Sequence, residues 1–101
     1  MHKLSRQQIL ERLNQLNSAT KLAWVFAEDR LQKTFEFGDF KKAFNFMERV
    51  AIEAEKLNHH PDWCNSYNRV SIELTTHSAG GLTGLDFRLA EAMEKISAKI
   101  S

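Results

Sequence analysis

The chain has 101 residues, 43% hydrophobic and 27% charged, enough for a modest core and too apolar for wholesale disorder. Fourteen Lys and Arg stand against 13 Asp and Glu, a net charge of +1, so no broad basic field is available for direct nucleic-acid binding. No apolar run approaches the roughly 20 residues a membrane span needs, the start MHKLSRQQ lacks a signal-peptide core, and the single cysteine, Cys64, excludes an intramolecular disulfide. The expectation is a soluble cytoplasmic protein. With no repeat, low-complexity tract or linker, residues 1–101 read as one domain.

Ser5, with Gln8 three residues on, predicts a capping box for a first helix, along which Ile9, Leu10, Leu13 and Leu16 recur at helical spacing. From Leu22 to Phe37 the pattern turns to alternation. Trp24 and Phe26 share one face, while Leu31, Phe35 and Phe37 lie opposite Gln32, Thr34 and Glu36. With the polar AEDR between, this predicts two antiparallel strands and a turn.

Gly38 and Asp39 stop the second strand, and Asp39 is placed to cap the strongest helix of the chain. Its apolar residues Phe40, Ala43, Phe44, Phe46, Met47, Val50, Ala51, Ala54 and Leu57 spread over roughly 160° at about 100° per residue. One sheet face covers about 100°, so the surplus flank is expected to meet another subunit. Pro61 disfavours helical geometry at His60, which ends the helix near Asn58 or His59.

WCNSYNR reads as a short strand and polar turn. VSIELTTH alternates, with Val70, Ile72 and Leu74 inward and Ser71, Glu73, Thr75 and His77 on the other face if the strand persists. A Gly-rich loop leads to Thr83, the expected cap of a last helix carrying Leu85, Leu89, Met93, Ile96 and Ile100 on one side. The order α-β-β-α-β-β-α predicts an α+β fold, an antiparallel sheet with helices packed on one face.

Three of the four histidines, His59, His60 and His77, fall where regular structure ends, and Glu55 and Asp86 accompany them. His2 lies in the leading tail. Imidazoles with a carboxylate suit zinc, but there is no HExxH or paired CxxC, and adjacent histidines on extended backbone diverge. No metal is expected. Cys64 and Ser78 lack a nucleophile's setting, and SAGGLTG lacks both P-loop and dinucleotide spacing. Imidazole acid–base chemistry without a cofactor is left.

EKLNHHPDWCNSYNRVSIELTTH, followed by GGLTGLD, resembles the signature of the pterin-4a-carbinolamine dehydratases. The likeness runs upstream through FEFGDFKKAFNFMERVAIEAEKLN and covers residues 22–100. Glu55, His59, His60, Pro61, Trp63, Tyr67, His77 and Asp86 stand at the family's intervals, and Trp24 matches a tryptophan at its pocket. Two departures are visible: the turn after Trp24 is shorter than in animal members, and Asn58 stands where many members have Asp.

The resemblance implies a four-stranded sheet, dimerisation through sheet edges and often a homotetramer through the long helices. It implies dehydration of 4a-hydroxytetrahydropterin to quinonoid dihydropterin in tetrahydrobiopterin recycling, with His59, His60 and His77 lining the pocket. Of these, His60 and His77 are expected as the acid–base groups and His59 as the orienting one. Binding contacts map to Asn58, Thr75, Thr76 and Ser78. Glu55 is expected to support the histidine loop, and Asp86 either to orient His77 or to favour its own helix N-terminus. Animal relatives also bind a homeodomain transcription factor as dimerisation cofactors, which gives a non-enzymatic alternative. A pterin-binding protein without turnover is another.

Overall fold

The computed structural model describes residues 2–100. Its elements are α1 (Arg6–Asn17), β1 (Val25–Ala27), β2 (Arg30–Glu36), α2 (Phe40–Leu57), β3 (Asp62–Ser66), β4 (Arg69–Leu74) and α3 (Gly84–Ala98), with one 3-10 turn at His77–Ala79. The expected order is therefore found. The strands form one antiparallel sheet in the order β1-β2-β4-β3.

The register explains which face is covered. Leu31 pairs with Leu74, Phe35 with Val70 and Trp63 with Ile72, so these six side chains point to the helical side. Leu31, Phe35, Val70, Ile72 and Leu74 are buried there with Phe46, Val50, Leu89 and Met93 of the helices. The opposite face carries Gln32, Thr34, Ser71 and Glu73. Both hairpins close through two residues. Glu28 and Asp29 adopt φ of 54° and 58°, the mirror-image turn whose twist suits a hairpin, and Tyr67 has φ 51° at the other. Asn65 braces that second turn by donating to the Tyr67 and Arg69 carbonyls.

The caps form as the sequence predicts. Ser5 and Gln8 make the capping box of α1, and Asp39 accepts from the Lys42 N–H at the start of α2. The Asn17 side chain then clamps the α1–β1 connection by bonding both the N–H and the carbonyl of Trp24.

Several expectations need correction. Leu10 is 49% exposed, because α1 is anchored by the narrower stripe of Ile9 and Leu16. In α3, Leu85 is only half-buried, whereas Phe87 and Ala90 are core residues, since that helix packs against both α1 and α2 and buries a wider arc. The wide α2 arc is no such correction: Ala43, Phe46, Val50 and Ala54 are buried, Met47 is half-buried, and Phe40 (47%), Phe44 (48%) and Ala51 form a flank this chain leaves exposed. Strand β4 stops at Leu74, so His77 opens the 3-10 turn and does not share the outer sheet face.

Candidate functional site

The site begins at the C-terminus of α2. Asn58 adopts the left-handed conformation (φ 49°, ψ 44°), and its N–H caps the carbonyls of Ala54 and Glu55. The His59 N–H also reaches the Ala54 carbonyl, at 3.0 Å. This reversal throws the two histidines to opposite sides. His59 turns inward and is 8% exposed, while the His60 side chain remains 58% exposed. The divergence expected of adjacent histidines is present.

His59 meets Asp86, in the first turn of α3. Its Nε2 lies 2.6 Å from Asp86 Oδ1, and Asp86 is fully buried. The other carboxylate oxygen, Oδ2, accepts from the Thr76 hydroxyl at 2.8 Å and from the Thr83 N–H at 2.9 Å. The Thr76 and Thr83 hydroxyls are themselves 2.9 Å apart. Of the two places expected for Asp86, beside His77 or at its own helix N-terminus, it takes the second by completing the capping box with Thr83, and its imidazole partner is His59.

Thr76 ties this buried cluster to the third histidine. Its carbonyl accepts from the N–H groups of Ala79, Gly80 and Gly81, and its own N–H donates to the Gly81 carbonyl. These bonds fold His77–Gly81 tightly around Thr76, with Gly80 at φ 74° where a side chain would be strained. His77 projects from this turn with its side chain 77% exposed, and Nε2 lies 3.9 Å from Asp62 Oδ2. Asp62 is two residues past His60, so the two exposed histidines belong to one surface region. Arg30 binds both Asp62 (3.2 Å) and Glu73 (2.9 Å) beside it. Neither Arg30 nor Asp62 was singled out from the sequence, because the pairing that joins them spans three strands.

His59, His60 and His77 thus each have a carboxylate neighbour. His60 Nε2 lies 2.5 Å from Glu55 Oε2. Pro61 links His60 to β3, and Trp63 is half-buried against the core on the inner side of that strand. Thr75 donates its hydroxyl to the Asp29 carbonyl, and Ser78 is exposed in the 3-10 turn. Among the described residues no group of three or more His, Cys, Asp and Glu is arranged to hold a metal ion.

Trp24 is placed elsewhere. It is 1% exposed, meets Phe35 edge-on, and donates its indole N–H to Glu94 at 2.9 Å. Glu94 also takes the Lys33 ammonium at 2.6 Å. Lys33 shares the inner sheet face with Leu31 and Phe35, a parity the sequence reading passed over. Both Lys33 and Glu94 line a groove of about 1190 Å³ between α1, α3 and β2, which contains none of the three histidines. Size points to that groove; chemistry points to the histidine cluster.

The fold and site together define a class: an α+β domain presenting paired imidazoles and carboxylates where α2 and β4 end and α3 begins. Residues 2–96 match the family model described as pterin 4 alpha carbinolamine dehydratase. A protein of Rhizobium leguminosarum bv. trifolii, provisionally named a pterin-4-alpha-carbinolamine dehydratase, is 50% identical over 96 residues, 89% of this chain and 95% of the relative. One of Opitutus terrae with the same provisional name is 53% identical over 75 residues, 73% of this chain and 77% of the relative. The crystal structure of a transcriptional coactivator/pterin dehydratase from Brucella melitensis superposes with a TM-score of 0.87 at 39% identity, covering 95% of this chain and 99% of that one. A pterin dehydratase-like RuBisCO assembly factor of the α-carboxysome shares the fold alone, at 20% identity and TM-score 0.65 over 76% of this chain and 92% of that one. The chain belongs to the pterin-4a-carbinolamine dehydratase family.

Proposed function

We propose that the protein is a 4a-hydroxytetrahydropterin dehydratase. The observation that carries this reading is the placing of three histidines from two segments where α2 and β4 end, each near a carboxylate: His59 by Asp86, His60 by Glu55 and His77 by Asp62. The reaction breaks the C4a–O bond, removes the N5 proton and forms the N5=C4a double bond. The hydroxyl needs a proton to leave as water, and N5 needs an acceptor. One acid and one base suffice, and neither electron transfer nor a metal is required. His60 and His77, exposed and able to exchange protons with solvent, are the proposed acid–base pair; His59, buried and fixed, orients the ring. Asn58, Thr75 and Ser78 border the same region and are the proposed binding contacts, while Thr76, whose N–H, carbonyl and hydroxyl are all engaged within the protein, shapes the site from behind. The product, a quinonoid dihydropterin, fits a place in tetrahydrobiopterin recycling in a reducing, cytoplasmic setting.

The test is turnover of freshly generated 4a-hydroxypterin, each stereoisomer separately, with chelator present. Replacing His60 or His77 with Ala is expected to slow turnover about 10²–10⁴-fold, roughly 3–5 kcal/mol of barrier, with much weaker effects on binding of a product analogue. The two single variants should differ in which isomer they handle badly. A folded His60→Ala/His77→Ala double variant turning over near the wild-type rate would refute the assignment, and binding by the wild type without turnover would make this a pterin-binding protein.

The exposed face of α2 favours a second property, assembly. Phe40 and Phe44 meet at a tilt with centroids 5.8 Å apart while each remains nearly half exposed, and Ile52 is 58% exposed farther along. Such a patch suits a homotetramer built on α2, or a transcription-factor partner docking there. Phe44→Glu is expected to shift the assembly to smaller species in light scattering. Met47 is a poorer probe because it also packs against the core. A wild-type monomer at micromolar concentration would contradict self-assembly.

A further inference from the structure

The hydrogen bonds around Asp86 fix more than a helix end. A carboxylate only accepts, so each of its three partners must donate. Thr76 has one hydroxyl hydrogen, given to Asp86 Oδ2. The 2.9 Å contact between the two threonine hydroxyls must then be donated by Thr83 to the oxygen of Thr76. The Thr83 oxygen in turn accepts from the Leu85 N–H. The chain of donors runs one way, from Leu85 through Thr83 and Thr76 to Oδ2. The Thr83 N–H adds a second donor to that same oxygen. Oδ1 is left to face His59 Nε2 at 2.6 Å.

We infer that Asp86, oriented by Thr76 and Thr83, is a positioning residue that holds His59 as its Nε2–H tautomer and presents Nδ1 as a hydrogen-bond acceptor to an N–H edge of the pterin. Nδ1 has no protein partner among the described residues, while every other polar atom of the cluster is engaged. His59 is also held at its backbone, by the 3.0 Å bond to Ala54. A histidine held at its backbone and at Nε2, with one open acceptor at Nδ1, is suited to orienting a ligand and poorly suited to shuttling protons with solvent. The inference rests on the dehydratase reading for the identity of the ligand, but the tautomer itself does not.

Asp86→Asn separates this role from simple capping. Two donors converge on the Oδ2 position, so the amide oxygen must occupy it and the amide NH2 must turn to His59. An NH2 group donates, which forces Nε2 to become the acceptor and moves the ring proton to Nδ1. The cap is retained, because Asn still accepts from the Thr83 N–H. Ser-His-Asp triads behave in this way: the amide replacement leaves the geometry and reverses the tautomer.

The experiment is a long-range proton–nitrogen correlation spectrum of the ligand-free protein labelled with ¹⁵N-histidine, which distinguishes the two tautomers by their cross-peak patterns. His59, identified by its loss in His59→Gln, is expected as Nε2–H in the wild type and as Nδ1–H in Asp86→Asn. In the variant, kcat/KM is expected to fall about 10–100-fold, the worth of a reversed hydrogen bond. An Nδ1–H or doubly protonated His59 in the wild type overturns the inference whether or not the variant folds. So does a folded Asp86→Asn protein with an unchanged tautomer. A wild-type protein with the expected spectrum and no dehydration of 4a-hydroxypterin would overturn the dehydratase reading and leave the tautomer lock standing.

Discussion

Helix α3 carries two carboxylates that reach across to other elements, and they serve the molecule differently. Glu94 gathers the Lys33 ammonium and the Trp24 indole N–H on one oxygen, Oε2, so a helix, a strand and the segment before β1 are joined at a single atom. The Lys33 side chain is 7% exposed and lies 4.6 Å from the centre of the Phe35 ring, so its charge is answered by a carboxylate and an aromatic face together. Asp86 also gathers donors from separate elements, but one of its partners is an imidazole, and an imidazole has a second nitrogen. A buried ammonium can only donate; an imidazole with one nitrogen taken keeps a second that can accept, and so can also serve a ligand.

The comparison is broken or sharpened first by removing one member of each pair. Asp86→Ala removes, at a fully buried position, the acceptor of the His59 N–H, the Thr76 hydroxyl hydrogen and the Thr83 N–H, and should cost about 3–5 kcal/mol in denaturant unfolding. Lys33→Met keeps the apolar stem and leaves Glu94, 21% exposed and still bonded to Trp24, so about 1–2 kcal/mol is expected. Turnover per folded molecule should survive Lys33→Met. If Lys33→Met instead abolished turnover in a folded protein, the separation between structural and functional pair would fail, and the groove beside Lys33 would have to be reconsidered as a working site.

The two pairs were not equally legible. His59, His60, His77, Glu55 and Asp86 stand out because their residue types carry chemistry and their segments end in Pro61, Gly80 and Thr83, which announce breaks. The caps at Ser5, Asp39 and Thr83 depend on residues three apart and could be read directly. The partner of Asp86 could not, because His59 lies 27 residues away and nothing local distinguishes it from His77. Lys33 was hidden for a related reason. Alternation places it on the inner face, but a charged residue there reads as a break in the pattern until Glu94, 61 residues on, is seen to answer it. The end of β4 was misjudged because two β-branched threonines prolong the alternation, while the bonds that fold the turn are made by the carbonyl of Thr76, which no side-chain pattern reports.

The smallest expected effect lies at Asn58, where the backbone decides which histidine enters the buried pair. Left-handed geometry costs an ordinary residue about 1–2 kcal/mol, a glycine almost nothing, and an asparagine less than most. The position therefore has two separable tasks: the reversal of the chain, made by the backbone, and any contact of the exposed side chain with substrate. Asn58→Gly keeps the first and deletes the second; Asn58→Val opposes the first with a β-branched side chain. The Gly variant is expected to shift stability by less than about 1 kcal/mol and to preserve kcat, since the N–H bonds to Ala54 and Glu55 remain available. The Val variant should lose about 1–2 kcal/mol and lower turnover, because a displaced reversal moves His59 away from Asp86. Thermal unfolding and steady-state kinetics on the pair read both tasks. If Asn58→Gly melts like the wild type but loses kcat, the side chain belongs to the reacting machinery, and its work at the helix end is the lesser part.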